Sequence, residues 1–318
     1  MPLKIAIQMD DPRNIVVTKD SSFIFGLEAQ KRGYDLHYYN TDTLRLKNGE
    51  VSASCATMTF RRSLNDHVTL GAFKDTDLKS FDIILMRNDF NDVPSYIAMT
   101  HILDHLAKDV LVVNNPTGVR ESPEKMLITH FPDLAPPTLI SRNLVDIRAF
   151  HAEHKELILK PLNGFGGAGI YHITEGDDNL SSIYEMLCAL YTEPFVVQKY
   201  LPEIAKGDKR IIVVEGEPIG AFNRLPASGN ARANLAAGGR AAKAEITPRD
   251  VDICARLKPE LIKRGLSYVG LDVIGDYVTE INPKSPTGLQ QIFALSGIKC
   301  EETIWDAFET RYKEFKSK

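Results

Sequence analysis

The sequence predicts an α/β domain in front of an α+β body. Three observations lead there. Strand-like and helix-like segments alternate through the first third of the 318 residues, short hairpin-like strand pairs replace that alternation afterwards, and a glycine-rich loop lies between two strands rather than at a strand-to-helix turn. Element by element, Leu3–Met9 is an apolar strand. Ser21–Arg32 is a helix, with Phe23, Leu27 and Ala29 among its apolar positions and Gly33 as its stop. Strands follow at Asp35–Tyr39, Asp82–Met86 and Val110–Asn114, the last two flanking a helix at Pro94–Ala107. Such buried strands with helical crossovers form a parallel sheet.

The run Asn114-Asn115-Pro116-Thr117-Gly118 is turn-rich and marks a boundary, and Ser122-Pro123-Glu124-Lys125 carries the cap and first-turn proline of a helix ending before Pro132. Beyond it come a helix at Leu144–His154, a strand at Leu157–Lys160, the glycine loop, a strand at Gly169–Ile173, a helix at Asn179–Tyr191 and a strand at Phe195–Tyr200. The last third has strands at Arg210–Glu215 and Pro218–Phe222, a long small-residue loop, a helix at Pro248–Arg264, a strand pair at Tyr268–Ile274 and Tyr277–Asn282, and a terminal helix at Glu301–Phe315.

Composition narrows the function. Thirty-eight basic residues against 42 acidic ones, a net charge of −4, give no basic face for nucleic acid. No apolar run approaches the roughly 18 residues of a membrane span. The four cysteines stand far apart without a CxxC pair, which suits neither a zinc site nor a disulfide framework. A soluble, cytoplasmic protein is expected.

Three constellations carry chemistry. In Asn163-Gly164-Phe165-Gly166-Gly167-Ala168-Gly169, Gly164, Gly166 and Gly169 match the dinucleotide spacing, which makes an NAD(P)-dependent dehydrogenase one alternative. That fingerprint needs a helix directly after it, and the strand-like Ile170-Tyr171-His172-Ile173 follows instead. A glycine loop between two strands can fold over a triphosphate, its amides unshielded by side chains. Lys160 just before the loop, and Lys125, would add point charges there. The second is the hairpin Leu271-Asp272-Val273-Ile274-Gly275-Asp276-Tyr277-Val278-Thr279-Glu280-Ile281-Asn282. Glu280 and Asn282 share a face, and Asp272 joins them if it lies opposite residue 280, a register that implies an odd-length turn centred on Asp276. Three oxygen ligands without His or Cys suit Mg²⁺, with Mn²⁺ as an alternative. The third is the loop 224–240, with Arg224, Arg232 and Arg240 spaced among small residues, a length that suits a mobile lid.

Together these segments resemble the bacterial glutathione synthetases. The matching stretches include Lys19-Asp20-Ser21-Ser22-Phe23, Ile84-Leu85-Met86-Arg87, Ile158-Leu159-Lys160-Pro161-Leu162, Gly207-Asp208-Lys209-Arg210, Val269–Asp276, Glu280-Ile281-Asn282 and Ser285-Pro286-Thr287, in order across nearly the whole chain. The resemblance implies a pre-ATP-grasp (Rossmann-like) domain at 1–121, an ATP-grasp central lobe at 122–200 and a C-terminal lobe at 201–318. It implies ATP as co-substrate, with Lys125, Lys160, Gly164, Gly166 and Gly167 at its phosphates, Gln198, Lys199, Tyr200 and Leu201 at adenine, and Asp208 at the ribose. Asp272, Glu280 and Asn282 would bind magnesium. Arg210, Arg224 and Arg232 would be catalytic, and Asp20, Ser22, Asn234, Ser285, Pro286 and Thr287 would meet the substrate. The implied reaction ligates γ-glutamylcysteine to glycine through an acyl phosphate. A homo-oligomer, a tetramer, is implied as well.

The chain departs from the family pattern after Asn282. Pro283-Lys284 stands where Val-Thr is usual, and Leu289-Gln290-Gln291-Ile292 lacks the usual arginine and glutamate. A related ATP-grasp ligase with another amino-acid acceptor is therefore the nearest alternative.

Overall fold

The apolar runs of the first third pair into one sheet. In the computed structural model, which describes residues 2–88, 93–164, 166–227, 233–235 and 238–317, β1 (Lys4–Gln8), α1 (Ser21–Lys31) and β2 (Asp35–Tyr39) open the chain. Then come β3 (Arg45–Lys47), β4 (Glu50–Phe60), β5 (Val68–Leu70), β6 (Lys74–Asp77), β7 (Ile83–Met86), α2 (Val93–Asp104), β8 (Leu111–Val113) and α3 (Pro116–Arg120). β2, β1, β7 and β8 form the expected parallel centre. The strands between residues 45 and 77 extend it as an antiparallel flank that the sequence reading leaves out. Asn48 and Gly49 link β3 to β4 with φ of 53° and 88°, the signature of a type I′ hairpin.

Two antiparallel sheets follow. The second, ordered β11-β10-β12-β9, contains β9 (Thr138–Ser141), β10 (Leu157–Pro161), β11 (Tyr171–Ile173) and β12 (Phe195–Lys199), with α4 (Leu144–His154) and α5 (Leu180–Leu190). The third, ordered β15-β14-β13-β16-β17, contains β13 (Asp208–Val214), β14 (Glu217–Leu225), β15 (Arg240–Lys243), β16 (Tyr268–Ile274) and β17 (Tyr277–Asn282). It carries α6 (Pro248–Lys263), α7 (Leu289–Ser296) and α8 (Cys300–Lys316). This is the α/β-then-α+β class the sequence predicts.

Burial ties the first sheet to the third. Ala6, Ile84 and Val112 share one apolar cluster with Ile211, Leu271 and Ile281, and Ile5 and Phe25 share another with Ile212, Tyr268 and Trp305. The second sheet keeps its own core of Ile147, Leu157, Leu159, Leu187 and Val197. A seam without a shared apolar cluster therefore runs between the second and third sheets, and a polar cleft can form there.

The helix expected from Ser122 does not form. Residues 122–126 make turns, and only Leu127–His130 coils, as a 3₁₀ helix. The backbone explains this: Ile281 N–H bonds Glu124 O at 3.1 Å and Val278 N–H bonds Leu134 O at 2.8 Å, so the segment spends carbonyls on the edge of β17. Lys125 thus sits in a turn against the third sheet. The helix begins earlier, at Pro116, where Asn115 accepts from Gly118 N–H at 2.9 Å and caps it.

Candidate active site

The glycine loop is built as a hairpin cover. β10 and β11 pair antiparallel, with Leu159 opposite Tyr171, and no helix opens after the loop, which removes the dinucleotide reading and the dehydrogenase alternative with it. Gly166, Gly167 and Gly169 take φ of 66°, 85° and 71°, conformations that other residues rarely adopt. A Cβ on Gly167 would lie 2.7 Å from Asn234 Oδ1, so the loop closes against the 233–235 segment of the third lobe. Beneath it, Lys125 Nζ donates to Gly164 O at 2.6 Å and lies 3.7 Å from Glu280 Oε1, while Lys160 Nζ lies 3.4 Å from the same oxygen. Burial pushes the Lys160 ammonium down from its usual pKa and Lys125 pushes it the same way, with Glu280 opposing.

The acids come from the β16–β17 hairpin. Asp272 is opposite Glu280 and Gly270 opposite Asn282, which puts Asp272, Glu280 and Asn282 on one face. The turn is not the odd-length one expected. Ile274 pairs with Tyr277 across the two-residue turn Gly275-Asp276, and a bulge at Thr279 supplies the offset. Asn282 Nδ2 donates to Gly270 O at 3.3 Å, leaving its Oδ1 to serve a ligand.

Asp272 is gripped by Arg210 Nε at 2.5 Å and Arg224 Nη2 at 3.0 Å. Burial alone would raise its pKa, but the two guanidinium groups outweigh that and hold it at about 2. Burial likewise works against Glu280, and Lys125 and Lys160 keep it below its usual value. Asp208, paired with Arg224 Nη2 at 2.6 Å, goes the other way: burial and then the charge of Asp272 outweigh Arg224 and raise it to about 6. Its Oδ1 is buried without a hydrogen-bond partner, an acceptor that a bound hydroxyl would satisfy.

Several of these groups line a cleft between the second and third sheets. Ile158, Ile170, Leu201, Ile204 and Ile274 give it apolar walls, while Lys160, Asp208, Asp272 and Glu280 give it a charged end. A smaller pocket, shared through Lys160, Asn234 and Glu280, continues it under Gly164, Gly166 and Gly167 to Lys125. Gln198, Lys199, Tyr200 and Leu201 all line the main cleft. The N–H groups of Lys199 and Tyr200 already serve Pro137 O at 2.9 Å and Glu156 O at 3.0 Å, so a ligand there meets other groups of the strand.

A second polar cluster joins the first sheet to the segment after β17. Asp20 caps α1 by accepting from Phe23 N–H at 2.8 Å, and Ser22 Oγ receives Arg87 Nε at 3.2 Å. Arg87 Nη2 reaches Pro286 O at 3.1 Å, and Ser285 Oγ donates to Asn88 O at 3.2 Å. Arg210 bridges the two clusters, since its Nη1 is 3.4 Å from Thr287 O while its Nε holds Asp272. The expected site residues fall in one or other of these two clusters, except Arg232, which lies outside the described residues, as do 228–231, 236 and 237 of the expected lid. The lid expected at 224–240 is shorter than that at both ends, because Arg224 and Leu225 belong to β14 and Arg240 to β15, where Leu225 pairs with Arg240. Sequence reasoning assigned no role to Arg87, a buried charge just past a parallel strand, where α/β sheets place ligands. It also passed over Glu124, whose carboxyl is raised by burial and then by Glu280, against Lys284. Lys284 itself lies with Nζ 4.9 Å from the centre of the Tyr96 ring.

A cleft between two antiparallel sheets, with a glycine hairpin over lysines and acids, defines an ATP-grasp fold. The solved structure of the D-cycloserine synthetase DcsG, 13% identical, superposes with a TM-score of 0.69 over 97% of this chain and 99% of that one. Models of the prokaryotic glutathione synthetase N-terminal domain and ATP-grasp domain match residues 3–120 and 124–297. The glutathione synthetase of Brucella melitensis biotype 1 is 47% identical over 98% of this chain and 100% of its own length. That of Escherichia coli (strain K12) is 41% identical over 98% and 99%. The chain belongs to the prokaryotic glutathione synthetase family.

Proposed function

We propose that this chain joins γ-glutamylcysteine to glycine at the expense of ATP, giving glutathione, ADP and phosphate. The observation that carries the reading is the meeting of the two polar clusters at Arg210, one at the nucleotide cleft and one at the N-terminus of α1. Adenine would lie against the apolar wall and residues 198–201, the ribose would donate to the orphaned oxygen of Asp208, and the triphosphate would pass under the glycine loop to Lys125 and Lys160. The peptide would sit along Asp20, Ser22, Asn234 and residues 285–287, with its C-terminal carboxylate near Arg210.

A carboxylate oxygen attacks the γ-phosphorus and ADP leaves. The glycine nitrogen then attacks the acyl carbon, loses a proton, and phosphate departs with the C–O electrons. Little covalent help is required. Lys125 and Lys160 would stabilise charge on the migrating phosphoryl group, and the acyl phosphate would be held by Arg210 and Arg232 from the peptide side and by Arg224 from the nucleotide side. The stretch that joins β14 to β15 would act as a lid against hydrolysis.

Two carboxylates and an amide oxygen on one face, without nitrogen or sulfur donors, fit a hard cation completed by phosphate oxygens. Asp272, Glu280 and Asn282 would hold Mg²⁺ or Mn²⁺, which when bound neutralises phosphate charge. Among the described residues no helix is long and apolar enough to cross a membrane. The reading includes the cytoplasm as the setting and a homotetramer as the assembly, which gel filtration with light scattering tests. An acceptor screen at fixed ATP and γ-glutamylcysteine tests the function: phosphate release should require both the dipeptide and glycine. Preference for another amino acid would favour the related-ligase alternative, for which the Pro283-Lys284 departure gives the reason.

A further inference from the structure

We infer that Gln290 is a positioning residue for the peptide end of the site, holding the turn before α1 in register with the segment after β17. The inference rests on the reading above that Asp20, Ser22 and residues 285–287 face the γ-glutamyl substrate. Gln290 stands in the first turn of α7, and its Nε2 donates to two backbone carbonyls, Val17 O at 2.6 Å and Asp20 O at 2.7 Å. Both partners are acceptors only, so the two protons of one NH₂ group are both used and the amide can face only one way. These bonds tie positions 273 and 270 residues apart.

They also close a circuit. From Asp20, the path runs through Gln290 and back along the chain to Pro286, whose carbonyl accepts from Arg87. Arg87 donates in turn to Ser22, two residues from the start. The chain inside this circuit has little room to shift. Ser285 is held at φ 39° with its hydroxyl on Asn88 O, and Gly288 has φ 131°, with space for a Cβ ending 2.6 Å from the Phe222 ring. Tyr268 fixes Pro286 O a second time at 3.0 Å. The first-sheet side of the circuit is also fixed, because Arg87 lies over the Phe25 ring. The turn at 17–20 is the part on the surface, and the Gln290 amide is the side chain that ties it to α7.

The contact is directional rather than bulky. Leu289 and Ile292 already pack α7 into the cluster that holds Phe23 and Phe25, so apolar burial keeps the helices together without Gln290. The amide instead fixes where the Asp20 peptide points, and with it the start of α1 that the substrate must meet. What this position requires is donated N–H groups, which an arginine also has and a glutamate lacks.

The test compares Gln290→Glu, Gln290→Ala and Gln290→Arg in the full chain. It reads KM for γ-glutamylcysteine, KM for ATP, kcat, calorimetric affinity for the dipeptide with ATP absent, and melting temperature. Gln290→Glu, which aims a carboxylate at two carbonyls, should raise the dipeptide KM and weaken its binding about tenfold or more, with the ATP KM and kcat within about threefold. Gln290→Ala should do the same to a smaller degree, and Gln290→Arg should stay within about threefold of the parent. Dipeptide constants unchanged in Gln290→Glu would overturn the inference, as would Gln290→Arg as damaged as Gln290→Glu, or a common rise in both KM values. If Gln290→Glu does not fold, the Ala and Arg variants decide by the same criterion. A parent protein that does not bind the dipeptide overturns the functional reading and this inference together. A working parent matched by its variants overturns only the inference.

Discussion

Replacing Lys160 with Met removes one charge from the floor of the cleft and little else. The lysine is only 5% exposed, stands in β10, and shares Glu280 with Lys125, at 3.4 and 3.7 Å. Met is unbranched and of similar length, so the packing of the stem survives. Glu280 keeps Lys125, so no carboxylate is left wholly unpaired, and the cost of burying an ammonium disappears. These effects oppose one another, and the net change in stability should be within about 1 kcal/mol, or about 2–4 °C in melting temperature. Catalysis has no such compensation. A preorganised charge at the migrating phosphoryl group is worth about 3–4 kcal/mol, so ligation should slow by about 10²–10³. The assay couples ADP release to γ-glutamylcysteine and glycine, beside a thermal melt. A Lys160→Met enzyme within threefold of the parent would remove Lys160 from the phosphate site. A fall of more than about 10 °C in melting temperature would show that the ammonium is a structural ion instead.

Three further outcomes are expected. Asp272 is held at about 2 against an ordinary 3.8, so it contributes stability above pH 4 that is lost as pH falls toward 2, worth about 2 kcal/mol. Asp272→Asn should therefore be destabilised in urea at pH 7 and approach the parent only near pH 2; an equal gap at both pH values would refute the pairing. Because Asp272 and Glu280 are engaged by the protein's own cations, Mn²⁺ alone should bind weakly by electron paramagnetic resonance, and about tenfold or more tightly once a non-hydrolysable ATP analogue is present. Equal affinity in both conditions would show that the acids are free to bind metal on their own. Gly167→Ala, with φ at 85° and the new Cβ 2.7 Å from Asn234 Oδ1, should raise the ATP KM about tenfold by propping the loop open. An unchanged KM would mean that the loop does not cover the nucleotide.

The parallel centre of the first sheet was legible because four apolar runs with helical crossovers admit few other arrangements. Its antiparallel flank was also written in the chain and went unread. Asn48-Gly49 is the strongest short hairpin signal, and Val51, Ala53 and Cys55 alternate inward after it. Small side chains such as Ala53 weakened that alternation. The helix expected from Ser122 failed for a different reason. Its local cap signals were present, but the edge of β17, far along the chain, offered Ile281 N–H to Glu124 O, and backbone bonds to a sheet outcompeted a local coil.

At the site, the sequence named most of the charged residues but could not say which acid meets which base. That pairing decides the chemistry at hand. Lys125, Lys160, Arg210 and Arg224 face Asp208, Asp272 and Glu280, one cation more than the anions. A site in that state is close to neutral by itself and holds Asp272 and Glu280, two of the proposed metal ligands, in ion pairs, so it should have little attraction for a bare cation. In the proposed binding mode a nucleotide would change the balance: its phosphates would take over Lys125 and Lys160, Glu280 would lose both partners at once, and a carboxylate would become available where phosphate oxygens could complete a coordination shell. The same argument assigns different roles to the two arginines. Arg224 is buried between Asp208 and Asp272, the residues proposed for the ribose and the metal, whereas Arg210 reaches from Asp272 to Thr287, toward the proposed peptide end. Loss of Arg224 should therefore weaken ATP binding first, and loss of Arg210 should weaken transfer to the peptide carboxylate first. Single-turnover measurements with ATP and dipeptide varied separately would separate the two, and identical defects in Arg224→Met and Arg210→Met would show that the pair acts only as a common counter-charge.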